Sequence, residues 1–144
     1  MRYVFDTCVL VAGLRSRRGA SFVILQAIGN GLLRGVASTT LLLEYQDVLK
    51  RDANLEQFWA KSDEVDIILG MLASRLEPIQ INFSWRPQLT NPDNEMVLEC
   101  SVNAQSATIV TFNVRDFLPE ASQFQIEVIQ PGTLLQRCNL VKSQ

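Results

Sequence analysis

Histidine is absent from this chain of 144 residues. Without imidazole there is no Ser-His or Cys-His nucleophile pair, no histidine general base and no imidazole-built zinc site. Any chemistry must therefore run on carboxylates, hydroxyls, amides, lysine or arginine. Cysteine is scarce as well. Cys8, Cys100 and Cys138 are odd in number and show no paired spacing, which suggests neither a disulfide framework nor a thiolate metal site. They read as ordinary buried thiols. No apolar run is long enough for a membrane span and the N-terminus lacks a signal-peptide pattern, so no membrane is expected and the cytoplasm is the expected location. Positive charge is not in excess: 13 Lys and Arg face 15 Asp and Glu, a net charge of -2. The overall field does not draw in a polyanion, so binding one requires a local basic patch or a bound divalent cation.

What the chain does have is apolar material for a full core. Hydrophobic residues make up 47% and charged residues 19%, a globular composition at a length suited to a single domain over residues 1–144. The organising stretch is Arg2-Tyr3-Val4-Phe5-Asp6-Thr7-Cys8-Val9-Leu10-Val11-Ala12. A short apolar run ends on a carboxylate, a hydroxyl follows, and a second apolar run resumes. This reads as a buried strand that delivers Asp6 to its C-terminal tip, where open parallel α/β sheets bind ligands. A buried acid there needs a cation, a hydrogen-bond cage or a raised pKa. A strand ending in a plain polar turn also fits the stretch.

Further along, a helix from Val9 to Leu14 breaks at Arg15-Ser16-Arg17-Arg18-Gly19, a candidate basic patch that also fits a solvated loop. Ala20 to Ile28 reads as the next helix, stopped by Gly29-Asn30-Gly31. Leu32 to Ala37 reads as a strand, and Ser38-Thr39-Thr40 supplies N-cap hydroxyls. In the helix that follows, Leu41, Leu42, Tyr45, Val48 and Leu49 mark an apolar face with Glu44 at its flank. No capping box accounts for Glu44, since Leu41 stands three residues before it. A short helix and a connection are expected over Lys50 to Lys61. Val65, Ile68, Leu69 and Leu72 mark a helix running to about Leu76, and residues 78–81 alternate as a peripheral strand would.

After a turn-rich bridge at 86–92, Asn91-Pro92-Asp93-Asn94-Glu95 opens a helix whose apolar side is Met96, Val97, Cys100 and Ala104. Asn at the N-cap, Pro at the first position and acids in the first turn suit the helix start and its dipole. Ala107 to Thr111 is a short buried strand followed by Asn113 and Asp116. Ile126 to Ile129 is a last strand, and Pro131-Gly132 starts a terminal helix through about Arg137. Strands and helices alternate throughout, the pattern of an α/β three-layer sandwich with a central parallel sheet and helices on both faces. Each acid has a local explanation where it stands. Brought round one crevice, however, four or five oxygen donors suit magnesium or manganese, hard cations that take carboxylates and water.

Four segments together resemble the PIN-domain family of metal-dependent ribonucleases, in particular the small prokaryotic VapC-like toxins of toxin–antitoxin pairs. They are residues 5–11 around Asp6, 42–49 around Glu44, 91–99 around Asp93, and 109–117 from Ile109 through Asn113 to Phe117. They occur in family order and span nearly the whole chain. The resemblance implies a PIN-like fold and an endoribonuclease, a hydrolase using Mg2+ or Mn2+ on an RNA substrate. A small antitoxin protein is the implied partner, and a homodimer is plausible by analogy. Asp6, Glu44 and Asp93 become metal ligands with Asn113 as a fourth, while Glu95 or Asp116 orients the water or a second ion. Thr7, Thr111 and Asn94 support the ligating oxygens by hydrogen bonds, and Arg15, Arg17 and Arg18 hold the RNA backbone.

Asn91, Asn94 and Asn113 stand where family members more often carry acids. An amide oxygen brings no charge, so metal affinity should fall with each replacement. The alternative is therefore a degenerate PIN-fold module that binds RNA or a protein partner without cutting. A phosphoryl-transfer enzyme of the haloacid-dehalogenase kind also begins with an acid after its first strand. It needs a second aspartate two residues later, where this chain has Cys8.

Overall fold

Burial explains the strands. β1 (Arg2–Phe5) and β4 (Thr108–Val110) carry Val4, Phe5, Ile109 and Val110 with no exposed surface. Strands covered on both faces read as continuous apolar runs, the mark of the centre of a parallel sheet. The computed structural model describes residues 1–82 and 91–140. Within them five parallel strands lie in the order β3-β2-β1-β4-β5, with β2 at Arg34–Ala37, β3 at Glu77–Pro78 and β5 at Val128–Ile129. Val4 pairs with Ile109 and Phe5 with Val110.

The strand order fixes the layers. From β1 the chain steps outward to β2 and β3, then returns past β1 to β4 and β5. Right-handed crossovers put the helices of these two excursions on opposite faces. On the first excursion lie α1 (Thr7–Arg15), α2 (Ala20–Gly29), α3 (Thr39–Leu49), the short α4 (Asp52–Leu55) and α5 (Ser62–Arg75). On the return lie α6 (Pro92–Asn103), α7 (Val114–Phe117) and α8 (Glu120–Gln123), and α9 (Pro131–Arg137) follows β5. α2 is apolar almost all round and is accordingly enclosed, packing on α1, α5 and α9.

The caps are as the composition suggests. Ser38 Oγ accepts from the Leu41 amide at 3.1 Å and starts α3, and Asn91 Oδ1 accepts from the Asp93 amide at 2.9 Å with Pro92 in the first helical position. Gly31, at φ +76, ends α2 in the left-handed region. Gly35 lets β2 close on its neighbours, since a Cβ there would stand 2.4 Å from Leu76 Cδ2 and 2.9 Å from Phe5 Cε2.

Several boundaries differ from the expected ones. α1 starts at Thr7 rather than Val9, because the extended backbone of Asp6 is already its N-cap. β2 starts at Arg34, since the amides of Leu32 and Leu33 both turn back to the Ala27 carbonyl. β3 is Glu77–Pro78, not 78–81; past it the Ile79 amide still bonds β2, at Ala37 O. β5 keeps Val128 and Ile129 of the expected run. α7 and α8 occupy stretches too short to show a helical period. Of the expected bridge at 86–92, residues 86–90 lie outside the described residues.

Candidate functional site

Where the strand order reverses, between β1 and β4, the C-terminal edge of a parallel sheet leaves a crevice. Asp6 is the first residue past β1 and Thr111 the first past β4, so pairing of the two strands brings them together. The Asp6 amide donates to Val110 O at 3.0 Å, locking that junction. Thr111 Oγ1 donates to Asp6 Oδ2 at 2.7 Å, and the Asn113 amide donates to Thr111 Oγ1 at 3.0 Å. The Cys8 thiol donates to the same Asp6 oxygen at 3.4 Å.

Asp6 is 6% exposed. Burial holds its pKa above the ordinary aspartate range, against hydrogen bonds from Thr111, Cys8 and the Thr7 amide; the charge of Asp93 pushes the same way as burial. Burial, followed by the charge of Asp6, pushes the Cys8 thiol up to about 11. Cys8 therefore stays protonated at neutral pH and acts as a donor to Asp6, not as a nucleophile.

Glu44 reaches the same place from α3. Its neighbour Tyr45 is fully buried and donates its hydroxyl to the Phe5 carbonyl at the end of β1. That bond pins α3 beside the strand tip, and Glu44 and Asp6 both line a cleft of ≈ 440 Å³. α6 contributes Asp93 and the buried Asn94, and the chain after β4 contributes Asn113. Partial burial raises the Glu44 pKa; the charges of Asp93 and Asp47 add to this and Arg51 opposes it. Asp93 thus acts electrostatically on both Asp6 and Glu44.

Of the residues expected at the site, Asp6, Thr7, Glu44, Asp93, Asn94, Asn113 and Arg15 line this cleft. Glu95 and Asp116 do not: Asp116 is exposed in α7, and Glu95 acts on Glu99 one turn along α6. Arg17 and Arg18 lie outside the lining too, the Arg17 guanidinium sitting 4.5 Å from the centre of the Trp59 ring. Cys8, Tyr45 and Arg51 were not among the expected residues. Arg51 lines the cleft and bonds Asp47 at 2.7 Å, a pair the sequence carries as an acid and a base four residues apart.

The donor set fits a hard divalent cation. It is made of oxygens, and among the described residues no Lys or Arg forms an ion pair with Asp6, Glu44 or Asp93. A buried carboxylate without a cation is costly, and a divalent ion would offset that cost. As they stand, no three His, Cys, Asp or Glu side chains among the described residues are grouped closely enough to hold an ion.

The PIN-domain family profile matches residues 2–115, and the chain belongs to the PIN-domain family. Among solved structures, VapBC2 from Rickettsia felis, bound to a DNA fragment from their promoter, has a chain similar to this one. The TM-score is 0.58 at 17% identity, covering 90% of this chain and 98% of that one, a likeness of fold. No curated protein matches.

Proposed function

We propose that this chain is a metal-dependent endoribonuclease that serves as the toxin of a toxin–antitoxin pair in the cytoplasm. The reading rests on one observation: in a PIN-domain chain, Asp6, Glu44 and Asp93, with the amides of Asn94 and Asn113, line a single cleft at the reversal point of the sheet. Family membership supports a nuclease in the general sense. RNA as substrate follows from the family resemblance, and Mg2+ or Mn2+ as the ion from the oxygen-only donor set.

Asp6, Glu44, Asp93 and the Asn113 amide oxygen are the groups to hold the ion. When bound, a divalent cation lowers the pKa of water and offsets charge on phosphoryl oxygens, which makes histidine unnecessary. Thr111 and Cys8 hold the Asp6 carboxylate in one orientation. Tyr45 keeps α3, and with it Glu44, against the strand tip. Thr7 and Asn94 stand in the lining as further hydrogen-bonding groups. Glu95 and Asp116, outside it, are given no part.

Incubation of a labelled RNA with the protein tests this reading. Cutting is expected with magnesium or manganese, none with EDTA, and none with Asp6→Asn; cutting that persists in EDTA contradicts it. A second reading, a PIN module that binds RNA or a protein without cutting, is favoured by the ungrouped acids and by Asn91, Asn94 and Asn113. It predicts RNA binding without cleavage, no heat with millimolar magnesium, and recovery of activity in Asn94→Asp.

The fold neighbour is a VapBC2 chain, which supports a small antitoxin protein as partner. A homodimer is proposed by analogy with small domains of the family. A short open reading frame beside the gene, compatible with an antitoxin, is the expected genomic sign.

A further inference from the structure

Among the described residues two cationic ones line the cleft: Arg15, which the family resemblance gives to the RNA backbone, and Arg51, which nothing above gives a role. Each follows a helical stripe that starts beside an acid. On α1, Thr7, Val11 and Arg15 recur at four-residue spacing directly after Asp6; on α3, Glu44 and Val48 stand four apart, and Arg51 comes two residues past the end of that helix, just before α4. Residues four apart share one helix face. At 1.5 Å per residue, Arg15 stands about 12 Å along α1 from Thr7. The cleft therefore has an acidic end and a basic end, with the apolar side chains of Val11 and Val48 between them.

We infer that Arg15 and Arg51 form a phosphate-holding arm of the cleft, binding the backbone of a single RNA strand to one side of the acids; the inference rests on the ribonuclease reading of that site. Arg51 is held by Asp47, one turn back on α3, and the two side chains are 57% and 64% exposed. Exposed pairs of that kind are weak, so the guanidinium can exchange the carboxylate for a phosphodiester, whose oxygens its planar fork fits. The charge of Arg51 already acts on Glu44 and Asp93, which places it within electrostatic reach of the acids. Arg17, stacked on Trp59, has its guanidinium occupied elsewhere. With valines between acids and arginines, this arm reads backbone charge and not base identity.

The test is binding of a fluorescent single-stranded RNA of about ten nucleotides, a length in the usual range for single-strand sites. Binding is followed by anisotropy at several salt concentrations in EDTA, on an Asp6→Asn background that does not cut. Each phosphate contact removed should lower the slope of log K against log salt by about 0.7. Arg15→Gln and Arg51→Gln are each expected to show that loss, and the double variant about twice it. Arg34→Gln, an exposed arginine at the opposite edge of the sheet, should leave the slope unchanged. Arg51→Lys should keep the slope while weakening affinity several-fold, an outcome a purely structural role would not give. Unchanged slopes in the Arg15 and Arg51 variants, or no RNA binding at all, overturn the inference. Loss of slope in a protein whose wild type never cuts RNA would uphold it while sinking the nuclease reading.

Discussion

At the scale of the residue, Asp6 sets the terms for everything near it. It is a buried carboxylate held by a hydroxyl, a thiol and a backbone amide, with its pKa raised by burial. A folded-state pKa above the unfolded one means stability that is full below the unfolded pKa and lost as pH rises through the folded value. At pH 7 without metal, the fold therefore carries the cost of burying the Asp6 carboxyl. Asp6→Asn should raise stability by about 1 kcal/mol at that pH, as loss of a strained functional group commonly does. The gain should shrink as pH falls into the carboxylate range, which thermal unfolding across pH will show. An equal or lower melting temperature for the variant at pH 7 would contradict the assignment. Thr111→Val keeps the side-chain volume but removes the donor; it should weaken manganese binding about 10- to 100-fold by calorimetry, with Thr111→Ser close to wild type.

At the scale of the element, the site depends on one contact between a helix and a strand. The Tyr45 hydroxyl on the Phe5 carbonyl joins α3 to the end of β1, and Tyr45→Phe leaves that carbonyl unpaired. A loss of about 1 kcal/mol in urea unfolding is expected, together with reduced RNA cutting through displacement of Glu44. Ser38→Ala removes the N-cap of α3 and should cost about 1 kcal/mol too. These helices could be read from the sequence because apolar periodicity and caps are local signals: Ser38, Asn91 and Pro92 act as their residue types predict. Strand ends were less legible. Where β2 begins depends on amides that turn back to Ala27, and where β3 ends depends on pairing with β2, neither of which a stretch of sequence records.

At the scale of the whole molecule, the strand order creates the site. Reversal between β1 and β4 gathers Asp6 and Thr111, 105 residues apart, onto one hydrogen bond. Asp6 was legible as an exception, an acid inside an apolar run. Glu44 and Asp93 were legible only through the family resemblance, since each also suits its own helix. Arg51, Cys8 and Tyr45 stayed hidden because their roles are distances to residues far along the chain, and because arginine, cysteine and tyrosine break no local rule where they stand. Glu95 and Asp116 sit in the matching segments yet outside the described lining of the cleft, so neighbours in sequence need not share its wall.

On the proposed reading, Asp6, Glu44 and Asp93 hold one divalent ion between them. Isothermal titration of manganese into wild type, Glu44→Gln and Asp93→Asn measures this directly, with folding of each variant checked by circular dichroism. The account predicts saturable binding in wild type and an affinity at least about tenfold lower in each variant, in line with the loss of a charged oxygen ligand. Binding of equal strength in all three proteins would contradict it.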